Sequence, residues 1–528
     1  MPAARLARFR AAFADLHAGR FAAANAAVSP LAQADPSDIE ALLLLGLAQA
    51  GMGHAEPAAA SLLRVAAARP SHAHPLRDLA GLLTGLGRAK DAEPCFRAAL
   101  ALSPHEPRLL AAYADYLLDL GRPDAAQALL RSMPPEQVSR NRLGVALAAC
   151  GDVEAASDAF RAAIAADACD AIAWANLGKS LSAGGHTDAA IAAFDTARRL
   201  RPEDAQIGLN RAVALLRSGR LTAGWEAFEA RLSLPGHSTL PRRTALPANF
   251  AATTVAGKIV LLTHEEGFGD TLQCIRYASP LAHAGADVVV LVPQELARLA
   301  ASVPGVRRVI VGPGGAPRFD WHCPMLSLPR AFGTTVETIP APIPYLHADA
   351  TDVADWAGRL AGLPGLRVGL VWSGASRPTV PAAAATDRLR SLPLCMLAPL
   401  AQCAGVSFVS LQKDAAASGF PAPLYDPMPR VRDFADTAAI IANLDLVISV
   451  DTAVAHLAGG LGKPVFLLDR FDNCWRWLSG RQDSPWYPTL RIFRQPRPHA
   501  WEPVVQILAE ALQKAQGFAP RPHQRRSL

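Results

Sequence analysis

The sequence predicts an α-solenoid followed by an α/β region of two doubly wound lobes. Three observations carry this. Small and large apolar residues recur at an interval of 34 through the first half of the chain. From Lys258 onward, short β-branched runs alternate with helical stretches. Near the C-terminus, the run Ile448-Ser449-Val450 stops at Asp451-Thr452 and opens directly into Ala453-Val454-Ala455-His456-Leu457-Ala458-Gly459.

The repeats come first. Gly46, Ala80 and Ala114 are spaced by 34, and after a register shift Gly144, Gly178 and Ala212 resume the spacing. Twelve residues after each stands a small residue: Ala58, Ala92, Ala126, Ala156, Ala190 and Gly224. Four further on stands a larger apolar one: Leu62, Phe96, Leu130, Phe160, Phe194 and Phe228. Prolines at 36, 70, 104 and 202 close several units at one phase. Small residues would let the two helices of a unit approach while the larger one fills the gap, and no such pair buries its apolar face alone. Trp174-Ala175-Asn176-Leu177-Gly178 with Ala190, Phe194, Ala197 and Pro202 resembles the tetratricopeptide repeat. A degenerate first unit (Ala12, Ala24, Pro36) brings the expectation to six or seven repeats in residues 1–235. The step from Ala114 to Gly144 is four residues short, so a shortened helix or a bend is expected around Met133-Pro134-Pro135. A concave groove for a protein segment and a prop or oligomerisation device for the next domain both fit such an array.

Composition bounds the rest. Among 528 residues, 51% are hydrophobic and 19% charged, as in globular proteins of two or three domains. A formal charge of +6 is small for this length, and Arg521, Arg525 and Arg526 sit in a basic tail (517–528, expected to be disordered), so no nucleic-acid partner is inferred. Eight scattered cysteines form no CxxC pair, which suggests neither a zinc site nor a disulfide framework. No apolar core of a signal peptide follows the first arginines, and no run is long enough for a membrane span. The expected location is the cytoplasm.

Residues 236–256, rich in Pro, Thr and Ala, read as a junction. A first lobe is expected over 257–362, with strands at 259–262, 287–292 and 306–311. A second is expected over 363–516, with strands at 367–372, 406–411, 444–450 and 464–468. The stretch Gly362-Leu363-Pro364-Gly365 reads as a hinge. Ligands of such lobes bind outside the strand C-termini.

Polar residues at those strand ends form the candidate site. In the first lobe, Gly267 and Gly269 would permit a tight turn before Asp270, which is either a helix N-cap or a general base. In the second lobe, Ser373 and Gly374 end the first strand. A polar, flexible segment with Arg377, Arg388 and Arg390 follows, and an arginine there could neutralise a diphosphate. Gln412 and Lys413 end the next strand, where a base or ribose contact would fall. Asp451, Thr452 and Ala453 form the third strand end. Thr452 would cap the helix, its amides would favour a phosphate, and His456 would share its face.

The segments Glu266-Gly267-Phe268-Gly269-Asp270, Val368 to Gly374, Arg390-Ser391-Leu392-Pro393, Ser410-Leu411-Gln412 and Ile448 to Gly459 resemble bacterial glycosyltransferases of the heptosyltransferase type. So do Trp475-Arg476-Trp477 and Asp483-Ser484-Pro485-Trp486-Tyr487-Pro488. The resemblance implies a GT-B fold and transfer from a nucleotide-diphosphate sugar without a catalytic metal or other cofactor. It implies an aspartate base like Asp270 and donor phosphates at Asp451, Thr452 and Ala453 with His456 close by. Lipopolysaccharide heptosyltransferases usually carry a lysine after the first strand of the second lobe. This chain has none between Lys258 and Lys413, so an arginine substitutes or the role is absent. The expected partners are a nucleotide sugar and a protein acceptor presented by the repeats. The rivals are a lipopolysaccharide or capsule transferase docked through its repeats, and a scaffold whose transferase domain has decayed.

Overall fold

The computed structural model describes residues 3–68, 73–85, 88–133, 139–235, 240–312, 314, 318–340, 342–375, 381–413 and 419–516. Pro70, Arg377 and the basic tail 517–528 lie outside them. The chain divides into two compact units, Met1–Asn176 and Leu177–Leu528.

The first unit is built of helix pairs such as Ile39–Gly51 with Ala55–Ala68 and Ala73–Gly85 with Ala89–Leu102. The pairing follows from the recurrent small residues. A Cβ on Gly46 would lie 2.9 Å from Leu62, and one on Gly144 would lie 2.5 Å from the Phe160 ring. Only glycine admits so close an approach. Ala58, Ala92, Ala126 and Ala156 are fully buried. Phe96 fills its gap against Tyr113 and Tyr116, with ring centroids 5.2 and 5.1 Å away. The short step in the period has its counterpart in two short helices: Pro123–Arg131 has 9 residues and Arg140–Ala149 has 10, against 13 or 14 in their neighbours. Residues 134–138, where the bend was expected, are outside the description.

The second unit begins within the helix Ala171–Ala183 and continues with Thr187–Leu200, Ala205–Arg217 and Leu221–Phe228. The last two join the α/β part instead of standing apart from it. Trp225 packs edge-on against Trp475 and Trp486, and its indole N–H donates to the Thr334 carbonyl at 3.0 Å. Arg217, 9% exposed, donates to Asn473 Oδ1 and Ser182 Oγ. One continuous core runs from Ala212 to Leu512. The compact units therefore divide well upstream of residue 235, because these aromatic faces are completed by residues of the α/β part.

Two all-parallel sheets follow. The first is ordered β3-β2-β1-β4, from β1 (Ile259–Thr263), β2 (Asp287–Leu291), β3 (Val306–Ile310) and β4 (Trp321–Pro324). The second contains β5 (Leu366–Val371), β6 (Val406–Ser410), β7 (Leu424–Tyr425), β8 (Leu446–Val450), β9 (Val465–Asp469) and β10 (Leu490–Arg494). Their order is β10-β9-β8-β5-β6-β7. The central strands are apolar on both faces, as helix-covered parallel sheets require; every residue of β8 is buried. Sequence patterning missed β4, β7 and β10, which are short or interrupted by His, Arg and Pro.

Two expectations change. The segment after Gly374 is not a flexible loop throughout: Pro381–Arg390 is a helix, as its alanine run favours. The stretch 362–365 lies between the Ala350–Leu360 helix and β5, but the chain reaches the second layer earlier. The amides of Tyr345 and Leu346 already donate to the Gly460 carbonyl, and Asn443 donates to Val353 in the Ala350–Leu360 helix.

The two layers are tied together. Buried Arg276 donates to the carbonyl of Trp486 at 2.9 Å and to the Tyr345 hydroxyl at 3.1 Å. Arg298 of the Gln294–Ala300 helix pairs with Asp433 and Asp436 at 3.0 and 3.1 Å, and also with Asp352.

Candidate functional site

The C-terminal ends of β1 and β8 each run into a helix, Phe268–Cys274 and Ala453–Gly460, and those two helices meet. The contact is made through glycine. A Cβ on Gly269 would lie 2.8 Å from His456 Cδ2 and 3.6 Å from Ala453 Cα. Gly269 is therefore required by the approach of the second helix, not by a turn. The left-handed residue of the turn is Glu266, at φ 54°, where a non-glycine residue is uncommon. Gly267 is the extended N-cap residue, at φ −103°.

Asp270 is fully engaged. One carboxylate oxygen accepts the Gly267 amide at 2.8 Å and the other pairs with Arg476. Both side chains are largely enclosed, 13% and 14% exposed. Arg476 comes from the Trp475–Trp477 turn after β9. Its Nε donates to Gln273 Oε1 at 2.9 Å, and its guanidinium lies 4.2 Å from the centroid of the Trp475 ring. Burial lowers its pKa to about 10. Just beyond, Leu478 turns at φ 51°, a second strained position close to the ion pair.

His456 is not poised beside Thr452 on an open face. It is 3% exposed, stacked on Trp477 at 5.1 Å and 17°, with Nδ1 2.9 Å from the Tyr487 hydroxyl. Burial depresses its pKa to about 4 even though Asp451 Oδ1 lies 3.9 Å from Nε2, so the ring is neutral near pH 7. Thr452 occupies the N-cap position, yet its side chain makes no capping bond. Its hydroxyl lies 3.1 Å from Ser449 Oγ instead. The carbonyl of Asp451 accepts from Arg390 Nη1 at 2.8 Å.

Around β5 and β6 the polar residues brace the backbone. Gln412 Oε1 accepts the amides of Trp372 and Ser373 at 3.1 and 3.0 Å, tying the two strand ends together. Gly374 donates to Ser391 Oγ at 3.0 Å, and a Cβ there would lie 2.1 Å from both Arg390 and Asp387. Arg390 Nε donates to Asp387 Oδ1 at 3.1 Å, so this arginine orders the Asp451 turn. Lys413 and Arg388 are exposed. At the end of β9, burial lifts the Asp469 carboxyl to about 7 in spite of its bond from Arg494.

The structure thus gathers Asp270, Gly269, Asp451, Thr452, Ala453 and His456, with Arg390 behind them. Gln412, Ser373 and Gly374 form a separate brace. Sequence reasoning did not assign Arg476, Trp477, Tyr487 or Asp387 to the site. The first three had a hint in the Trp-Arg-Trp and Trp-Tyr-Pro runs, whose direction only the fold reveals.

The first unit holds a groove of about 540 Å³, lined among others by Leu47, Gly81, Leu82, Arg77, Arg108 and Arg142. Arg77 pairs with Asp78 and Glu106, and Arg142 with Asp115. Among the described residues, no helix is long and apolar enough to cross a membrane.

This is a repeat protein joined to an α/β part, and its repeats are tetratricopeptide repeats: models of that family match residues 83–143 and 175–233. Such arrays present surfaces for protein partners. Protein FlbA of Caulobacter vibrioides is 30% identical in an alignment 323 residues long that covers 56% of this chain and 52% of FlbA. The chain thus spans about half the length of that relative. Among solved structures, a tetratricopeptide repeat protein of Parabacteroides merdae is 15% identical, with a TM-score of 0.39 over 45% of this chain and 94% of that one. YrrB, described as having an unusual peptide-binding site, is 19% identical, with a TM-score of 0.28 over 34% of this chain and 94% of its own.

Proposed function

We propose that the chain is a glycosyltransferase that moves a sugar from a nucleotide-diphosphate sugar, without a metal, to a protein acceptor offered by its repeats. The observation that carries this reading is the meeting of the two strand-to-helix turns at Gly269, Ala453 and His456. Ligands of parallel sheets bind at such strand ends. The strained residues Glu266 and Leu478 lie in the same neighbourhood, and strain of that kind clusters at working sites. In this reading Asp270 takes the proton of the acceptor hydroxyl as that oxygen attacks the sugar. The leaving diphosphate lies at the first turn of the Ala453–Gly460 helix, whose amides are uncapped by Thr452. Arg390 holds that turn through the Asp451 carbonyl. Such donors matter most as charge develops on the leaving group.

A second reading, a scaffold without turnover, is favoured by one observation: both Asp270 oxygens are occupied. Thermal unfolding of the full chain with a panel of nucleoside diphosphates and nucleotide sugars separates the two. A ligand at a hundred times its Kd stabilises by about 2.7 kcal/mol, and one member of the panel should do so. Sugar transfer with that donor to protein, and not to a membrane glycolipid, completes the test. No stabilisation by any member would favour the scaffold.

A further inference from the structure

We propose that Arg476 is the anion receptor of the site and that Asp270 serves as its internal substitute ligand. A diphosphate that takes the guanidinium would release the carboxylate. This rests on the glycosyltransferase reading and adds to it a residue and an order of events.

Arg476 pairs across 206 residues of sequence with Asp270, the neighbour of Gly269, which itself touches Ala453 and His456. The following residue, Trp477, stacks on His456. The guanidinium is thus one residue removed from the meeting point of the two helices.

The neighbouring arginines are already matched. Arg390 is bound to Asp387 and the Asp451 carbonyl, Arg494 to Asp469, and Arg470 to Asp472. Arg276 is held by carbonyls, a hydroxyl and aromatic rings. Each of these acidic partners lies in the same layer as its arginine; Asp270 approaches Arg476 from the other layer, as Asp433 and Asp436 approach the more exposed Arg298.

The guanidinium is held on several sides. Gln273 fixes Nε, Cys474 Sγ accepts from Nη1, and Trp475 supports the face, so Nη2 points at Asp270 from a fixed base. Gln273 Nε2, on the same amide that holds Arg476 Nε, is a buried donor without a hydrogen-bond partner, and so is Nε1 of the following residue, Trp477. Both residues are fully buried. An orphaned donor on the amide that holds a cation calls for an acceptor oxygen. A diphosphate offers more of them, and more charge, than one carboxylate.

Calorimetric titration of the full chain with inorganic pyrophosphate, and separately with the nucleoside diphosphates, tests this. Asp270→Asn keeps an acceptor for the Gly267 amide and removes the competing charge, so pyrophosphate should bind about tenfold tighter. Arg476→Gln should bind it about tenfold more weakly, with Arg476→Lys between. The double variant should be no tighter than Arg476→Gln alone. Equal binding by wild type and Arg476→Gln, no tightening in Asp270→Asn, or no binding of either probe would overturn the inference. If Arg476→Gln does not fold, the Asp270→Asn comparison decides alone. Pyrophosphate binding through Arg476 without preference for any nucleoside diphosphate would keep the receptor and sink the glycosyltransferase reading. Nucleotide binding indifferent to Arg476 would do the reverse.

Discussion

Gly144 on Phe160, Gly178 on Phe194 and Gly269 on His456 are three uses of one packing device: a glycine seated against a ring of a second helix. In the repeats, the ring is apolar and belongs to the next helix in sequence. In the α/β part, the ring is an imidazole, and it joins helices from two different sheets. The first kind of joint responds only to shape. The second carries a titratable group and touches Asp451, Tyr487 and Trp477. The same geometry therefore serves stability in one region and a chemically responsive contact in the other.

The largest effect that could break this contrast is in the repeats. Phe160→Ala and Phe194→Ala should each lose about 3–5 kcal/mol in denaturant unfolding, with no dependence on pH beyond that of wild type. A loss below about 1 kcal/mol would mean that these rings do not fill the joint.

His456 should supply the contrasting pH dependence. Its folded pKa of about 4 lies below the ordinary value of 6.5, so the unfolded chain binds the proton more readily between those limits. The imidazole's contribution is present above about pH 6.5 and is lost as pH falls toward 4, by about 3 kcal/mol in all. The stability gap between wild type and His456→Gln, followed from pH 7 to pH 4, should narrow by that amount. A constant gap would refute the neutral, buried ring.

Adding one methyl sharpens the comparison further. Gly144→Ala and Gly269→Ala should each cost about 1–3 kcal/mol, but only Gly269→Ala should also change pyrophosphate affinity, because Asp270 is its neighbour. The smallest effect concerns the cap. Thr452→Ala should cost less than about 0.5 kcal/mol, since Thr452 makes no capping bond. Asp204→Ala removes bonds from the Gln206 and Ile207 amides and should cost about 1 kcal/mol. Equal losses in urea would show that Thr452 caps its helix after all.

The repeats were legible because one packing rule is written several times: Gly144 with Phe160 and Gly178 with Phe194 announce each other at a fixed distance in sequence. The strand-to-helix turns at Asp270 and Asp451 were legible for a local reason, a β-branched run ending in polar residues. What those residues do was less legible. Thr452 stands where a cap belongs, but Ser449 competes for its hydroxyl. His456 was expected at a ligand, but Trp477 and Tyr487 enclose it from 21 and 31 positions downstream. The Asp270–Arg476 pair has no local signature, since only the packing of the two layers brings its members together.

The aromatic contact between Trp225 and Trp475 has a consequence in time. A ribosome makes Trp225 first and Trp475 about 250 residues later, an interval of roughly 12–50 s at 5–20 residues per second. During that wait Arg217 also lacks Asn473, its partner 256 residues away. The repeats of the first unit meet no such delay, because their rings find partners within a few dozen residues. The nascent chain thus carries an unfinished aromatic face at the end of its repeats until nearly all of the α/β part has been synthesised.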